Sequence, residues 1–271
     1  VKLPETIGTS NIITSVQNPL IKDLRKLQQV KYARTQGQFL LEGTNLVTEA
    51  IAACHPLTII CHTAAWQGKH PQIWQQLVAS AIRVQLVSEE VIAAVATTVT
   101  PDGIVAAAKS IPRPTPSFPS PLIVAADNIQ DPGNMGTIIR TIAGVGANGL
   151  IASSDSVDFD RPKVLRSSAG QWFRVPMAVS QDLASDIVTA RREGMQVVAT
   201  TSQADRDYWQ VDFSKPTLLL LGNEGGGLKP ALTGLADIRA SIPMAEGIES
   251  LNVAIAAALL AYEWRRQMQR V

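Results

Sequence analysis

A chain of 271 residues that is 46% hydrophobic and 17% charged can bury the core of one large domain or two ordinary ones, which excludes a disordered protein. A net charge of only +1 excludes a global field that would advertise a nucleic-acid partner by itself. No apolar run reaches the roughly 18 residues of a membrane span, and the longest, VAIAAALLAY (253–262), runs straight into charge. The first ten residues, VKLPETIGTS, lack the apolar core of a signal peptide, and Cys54 and Cys61 alone make no disulfide framework. The expectation is a cytoplasmic protein.

From the N-terminal side, KDLRKLQQVKYAR (22–34) carries five basic residues against one acid, with Leu20, Leu24 and Leu27 at helical spacing. It reads as one amphipathic helix with a basic outer face. Lys22, Arg25, Lys26, Lys31 and Arg34 either contact phosphates or simply face solvent. There follow a strand at 38–43, a helix near 44–54, a strand at 56–63, a helix near 71–80, and strands at 82–87 and 102–109: a small α/β sandwich. CHPLTIICH (54–62) offers Cys54, His55, Cys61 and His62, but their spacing fits no common zinc pattern and adjacent strand residues face opposite sides. No metal is expected.

SIPRPTPSFPSP (110–121) is a boundary, since its prolines fix φ and cannot donate to a sheet. Beyond it, apolar strands at 122–127, 149–153, 197–202, 217–222 and 238–243 alternate with helical segments. That pattern implies a parallel sheet covered on both faces. Histidines 55, 62 and 70 and both cysteines precede the boundary, so the second part has no Ser-His-Asp or Cys-His pair of its own.

Ligands of such sheets sit at the carboxyl ends of strands, and three loops there carry unusual residues. DNIQDPGNMGTIIRTIAGVGANG (127–149) places Asn134 as a helix cap, and puts Arg140 off the stripe of Met135, Ile138, Ile139 and Ile142. Arg140 points toward a site or into water. GNEGGGLKP (222–230) is no P-loop, because no G-K-[ST] follows. It is either a plain glycine-rich turn or a place of close backbone approach, though Glu224 is hard to explain as a turn residue. IPMAEGIESLNVAIAAALLAYEWRRQ (242–267) puts Ser250 at the cap and Asn252 in the first turn of a long helix. That helix is apolar nearly all round and is therefore expected to be buried.

In this order and spacing, DNIQDPGNMGTIIRTI, LLLLGNEGGGL and IPMAEGIESLNVAIAAAL resemble the signature of the SpoU/TrmH family of RNA ribose 2′-O-methyltransferases, a branch of the SPOUT superfamily. KVLRSSAGQWFRVP (163–176) is similar to the segment between the first two, and the resemblance covers 121–269. The part before the prolines resembles the ribosomal-protein-like RNA-binding domain often attached to this catalytic domain. The resemblance implies an α/β fold, with an RNA-binding domain (1–109), a Pro-rich linker (110–121), and a parallel-sheet SPOUT domain with a C-terminal trefoil knot (122–271). It implies S-adenosyl-L-methionine held in the knot by Gly222, Ile242, Met244 and Leu251, the glycines staying small so that backbone can touch the cofactor. It places Asn134, Arg140, Glu224, Ser250 and Asn252 at catalytic and substrate positions, with Ala254 where many relatives have serine. It also implies a homodimer through the last helix. A guanidinium is always protonated, so Arg140 suits stabilisation of the developing alkoxide, with a phosphate oxygen or water accepting the proton. The extra domain points to ribosomal RNA ahead of transfer RNA. A non-catalytic RNA-binding module, a base methyltransferase and a nucleotide hydrolase are the competing readings.

Overall fold

The computed structural model describes residues 12–79 and 83–269. The end of the helix expected near 71–80 and Ile82 of the strand expected at 82–87 lie outside them. In chain order the elements are α1 (Pro19–Lys26), α2 (Val30–Gln36), β1 (Gln38–Glu42), α3 (Thr44–Ala52), β2 (Leu57–His62), α4 (Ala64–Lys69), α5 (Pro71–Ala79), β3 (Val84–Leu86), α6 (Glu89–Val95) and β4 (Ile104–Lys109). Then come β5 (Leu122–Ala126), α7 (Pro132–Val145), β6 (Gly149–Ser153), α8 (Pro162–Ser167), β7 (Met177–Ser180), α9 (Leu183–Arg192) and β8 (Gln196–Thr200). The chain closes with β9 (Arg206–Asp207), β10 (Thr217–Leu221), α10 (Pro230–Thr233), β11 (Ile238–Ser241) and α11 (Val253–Met268). Two compact units result. Among the described residues the first holds those up to Ile111 and also Asp160–Phe173; the second holds Pro112–Phe159 and those from Arg174 on.

In the first unit a four-stranded sheet runs β1-β4-β2-β3, antiparallel except for the β2–β3 pair. Ile21, Leu24 and Leu27 of the α1 region pack with Val91, Ile92 and Val95 of α6 and with Leu40, Ile59 and Ala107 of the sheet. The expected single basic helix is two helices. Leu27 ends α1, and Gln29 is extended (φ −91°, ψ 116°) ahead of α2. Between them Gln28 turns its amide to the carbonyl of Val95 at 2.6 Å, an acceptor at the end of α6 with no partner inside that helix. Periodicity also missed α4 and α6, each capped by a side chain, Thr63 and Ser88. Of the Cys/His stretch, Cys54 is exposed and the other three are taken up by packing. Cys61 is buried in the core, which pushes its thiol up to about 12. His62 is buried beside Trp66 and Trp74, and burial pulls its pKa down. His55 stacks among Phe39, Trp172 and Phe173.

The segment 160–173 is held to this unit by charge as well as by rings. Glu42, at the end of β1 and 4% exposed, accepts from the backbone N–H groups of Thr97 (2.9 Å) and Thr98 (3.0 Å) and from both their hydroxyls. Arg166 of α8 completes the set at 2.9 Å.

The second unit is a seven-stranded, wholly parallel sheet in the order β7-β6-β5-β10-β8-β11-β9. β7 and β9 are strands that the apolar pattern did not reveal, since each is short and partly exposed. Every residue of β5 and of β10 is buried, as continuous apolar runs in a two-sided sheet require. Ile123, Ala125, Leu218 and Leu220 face α9 and α10, and their alternating neighbours are buried on the other side, where α11 packs on α7. The proline-rich stretch packs against this unit from residue 112 on: Pro114 accepts the N–H of Met177 at 2.9 Å, and Arg113 lies over the ring of Phe159.

Glu42 yields a test. Burial alone would raise its pKa, but the Thr98 and Thr97 hydrogen bonds and Arg166 outweigh it and hold the carboxyl below its ordinary range. A depressed carboxylate stabilises the fold fully above its unfolded pKa, and that stabilisation drains as pH falls through the folded value. Glu42→Gln is expected to cost about 2–4 kcal/mol at pH 7, the scale of breaking a buried, charge-assisted cluster. In urea titrations the gap to the parent protein should narrow on acidification below the ordinary carboxylate range.

Candidate active site

β5 and β10 are neighbours, yet β6 lies on the far side of β5 and β8 on the far side of β10. The chain leaves the two strands in opposite directions, and a crevice at their carboxyl ends is where an open α/β sheet takes its ligand. Three loops meet there: 127–131 after β5, 222–229 after β10 and 242–252 after β11.

The β10 loop is built around its own backbone. Asn223 and Gly227 exchange N–H···O bonds of 3.0 and 2.9 Å, while Asn223 Oδ1 accepts from the N–H groups of Gly225 (2.9 Å) and Gly226 (2.8 Å). A Cβ at Gly222 would sit 2.2 Å from the backbone of Gly227 and Leu228, and Gly227 is left-handed (φ +65°). Gly222 and Gly227 are thus required by the loop's closure on itself, whereas a Cβ at Gly225 or Gly226 would meet only Asn223 Oδ1 at ordinary contact distance.

Glu224 is what this loop presents. Its carboxylate accepts from Asn134 Nδ2 and Asp131 N, both at 3.1 Å, and from Gln130 N and Asn223 Nδ2, both at 3.3 Å. Burial pushes its pKa up, but the Asn134 hydrogen bond and the backbone N–H donors prevail and hold it low. Asn134 in turn accepts at Oδ1 from Asn252 Nδ2 at 2.8 Å, and Asn252 Oδ1 accepts the Ala254 and Ile255 N–H groups that open α11. Glu224, Asn134 and Asn252 therefore form one directed chain from the β10 loop through the first turn of α7 to the loop after β11.

Two capping expectations need correction. Asp131, not Asn134, caps α7, because Pro132 at the first helical position makes the residue before it the cap. Asn252, not Ser250, caps α11, and it lies before the first turn rather than in it. Ser250 is exposed two residues earlier. Arg140 is exposed on α7, off the buried Met135, Ile138, Ile139 and Ile142, and makes no ion pair among the described residues.

Residues that the sequence reading did not single out brace the same crevice. Asp127, 1% exposed, takes the Lys229 ammonium at 3.0 Å, and that ammonium also reaches Asp155 at 2.8 Å. Asp155 and Asp127 together raise the Lys229 pKa. Asn128, left-handed at φ 54°, donates its N–H to Ser153 and accepts from Asn223 Nδ2, each at 2.8 Å. A charged residue closing an apolar strand at 127, and a lysine just beyond the glycines, were the signals available.

Ile242 and Met244 are half-buried and Leu251 is exposed. The backbones of these three make no hydrogen bond among the described residues, so their peptide groups remain available to a ligand. The stretch 242–252 contains Glu246 and Glu249 and no lysine or arginine.

Comparisons with known proteins place the chain in a family. The SpoU rRNA Methylase family model matches residues 121–262, and the MRM3-like substrate binding domain model matches residues 18–106. The chain belongs to the SpoU rRNA methylase family. It is 43% identical over 264 residues to an uncharacterized tRNA/rRNA methyltransferase of Synechocystis sp., covering 96% of each chain. It is 32% identical over 253 residues to the 23S rRNA (guanosine(2553)-2'-O)-methyltransferase RlmP of Bacillus subtilis, covering 93% of this chain and 98% of the relative. The crystal structure of an AdoMet-bound rRNA methyltransferase from Sinorhizobium meliloti superimposes with a TM-score of 0.82 at 32% identity, over 96% of this chain and 99% of that one. The SpoU family match spans all three loops of the crevice and also residues 160–173, which here fold with the first unit.

The directed chain can be reversed by one atom. Asn134→Asp puts an acceptor where Glu224 requires a donor. We expect a loss of about 1–2 kcal/mol at neutral pH, partly recovered on acidification as one carboxyl of the pair takes a proton. Chemical denaturation at several pH values measures it.

Proposed function

We propose that this chain is an S-adenosyl-L-methionine-dependent RNA 2′-O-ribose methyltransferase acting on ribosomal RNA. The observation that carries this reading is the Glu224–Asn134–Asn252 chain, which joins the three family segments at the carboxyl ends of the sheet. The cofactor fits the residues present. The unpaired peptide groups of Ile242, Met244 and Leu251 suit a purine and an amino-acid moiety, and the absence of lysine and arginine from 242–252 suits a sulfonium. Those residues and the Gly222 backbone would hold it, and when bound it supplies an electrophilic methyl group to the ribose 2′-oxygen. A trefoil knot around this segment is part of the same reading, supported by α11 packing back on α7.

The protein's own residues supply position and charge. Glu224 fixes Asn134, and Asn134 fixes Asn252, so the ribose meets amides of set direction. Arg140 stabilises negative charge on the 2′-oxygen as its proton leaves to a phosphate oxygen or water. Ser250, exposed beside the cap, is available to the substrate. The chain runs close to the full length of its ribosomal-RNA-modifying relative, and this favours ribosomal RNA and, with it, a cytoplasmic setting. In the first unit Lys22, Arg25 and Lys26 of α1 and Lys31 and Arg34 of α2 are all exposed, as phosphate-binding residues must be.

A homodimer belongs to the same proposal. The expectation that α11 is buried all round is corrected in the single chain. Val253, Ala254, Ala257, Leu260, Ala261 and Trp264 are buried, whereas Ile255 is 52% and Tyr262 56% exposed. These two join Ala258 and Leu259 around an open depression of about 410 Å³. A two-fold contact pairs such a patch with itself.

Incubation with labelled S-adenosylmethionine and ribosomal RNA, followed by nuclease digestion, should yield 2′-O-methylated nucleosides in alkali-resistant linkages; a methylated base would overturn the reading. Arg140→Ala is expected to slow methyl transfer at least about 100-fold, with little change in cofactor affinity. Ile255→Arg, which places a charge on the exposed apolar face, is expected to turn a dimer into a monomer of 29.0 kDa in sedimentation, with loss of activity.

A further inference from the structure

The first unit contains a cavity of about 260 Å³ between the α1–α2 pair and the sheet. Leu24, Leu27, Ile59 and Ala107 give it an apolar floor. Its rim is polar and planar. Tyr32 is held as a wall, with its hydroxyl donating to Asp23 Oδ1 at 3.2 Å and the Lys26 ammonium 5.3 Å from its ring centroid. The Gln36 amide and the Arg83 guanidinium also line the cavity, and neither has a hydrogen-bond partner among the described residues. Among the described residues the Gln38 side chain accepts only a 3.4 Å bond from Thr58, and its NH2 has no acceptor. The size falls below the roughly 300–1,000 Å³ of drug-sized pockets and suits a single planar ring system.

The occupant is indicated by the charge on the helices that wall the cavity. The helices that wall the cavity carry Lys22, Arg25, Lys26, Lys31 and Arg34, all exposed, so a ligand entering here belongs to a polyanion. A flat apolar floor, a fixed aromatic ring, a guanidinium and unpaired amides are what proteins use to take a base out of single-stranded RNA: stacking on the planes and hydrogen bonds on the edges. We propose that this cavity receives one unpaired base of the RNA substrate, stacked against Tyr32 and read at its edge by Gln36, Gln38 and Arg83, while the flanking phosphates lie on the basic residues of α1 and α2. The proposal rests on the reading of RNA as substrate. It assigns the first unit a base-recognition site separate from the methyl-transfer crevice.

The test uses the full chain and in-vitro-transcribed 23S ribosomal RNA. Ultraviolet crosslinking followed by digestion and mass spectrometry should place a nucleotide on Tyr32 or its peptide. Tyr32→Leu and Gln36→Ala are each expected to weaken RNA binding about five- to tenfold, the first as lost base stacking and the second as a lost edge hydrogen bond. The dependence of affinity on salt should keep its slope, because no phosphate contact is removed. Gln36 is exposed, so its variant keeps the test sound even if Tyr32→Leu perturbs folding. Unchanged affinity in the Gln36 variant, with no adduct near Tyr32, would overturn the proposal. If replacing the five basic residues by glutamine weakens binding while the cavity variants do not, RNA lies on the helices without a base in the cavity. Failure of methyl transfer by the parent protein would instead count against the proposed activity, whatever the binding results.

Discussion

A carboxylate can only accept hydrogen bonds, and the catalytic unit is organised around that fact. Glu224 forces the NH2 of Asn134 toward itself, which turns the Asn134 carbonyl to Asn252. Asn252 must then donate to Asn134 and offer its own carbonyl to the first N–H groups of α11. Both amide orientations are set by one charge, and the chain ends at a helix N-terminus, whose dipole favours an acceptor. Loops far apart in sequence are thereby held in one geometry without a metal-binding group among the described residues.

Around this chain the crevice is braced by rigid backbone. The β10 loop closes on itself so tightly that position 222 admits no side chain, which presents Glu224 on a fixed turn. Lys229 leaves the same loop and neutralises Asp127, a carboxylate buried at the end of β5. Without that ammonium a buried charge would stand unpaired at the root of the first loop, which is costly. The loop thus contributes both the acceptor that orders the site and the cation that stabilises its base.

The first unit shows a comparable economy. Glu42 gathers two threonines and Arg166, and Phe39 packs at a tilt against Trp172, so residues 160–173 fold with a unit whose other residues end some fifty positions earlier. The family signature treats this segment as part of the methylase stretch. Its packing partners are nevertheless those of the first unit.

The sequence by itself determined the parallel sheet and the positions of the three loops. Short continuous apolar runs such as 217–221, alternating with helical segments, imply two-sided strands, and the glycines and polar residues that end them mark turns. It also determined which residues the family signature marks, because those are matters of identity and order. Only the tertiary structure decided what those residues touch. Asn134 reads as a cap until Asp131 is seen in that place, and Ser250 reads as a cap until Asn252 is. The split between α1 and α2 depends on Gln28 reaching the end of α6, 67 residues away, which no local period records. The exposed face of α11 likewise follows from which side α7 covers. Hydrophobic patterning is a local property and survives in the sequence, whereas hydrogen-bond direction and partner choice are properties of approach in space and exist only once the chain has folded.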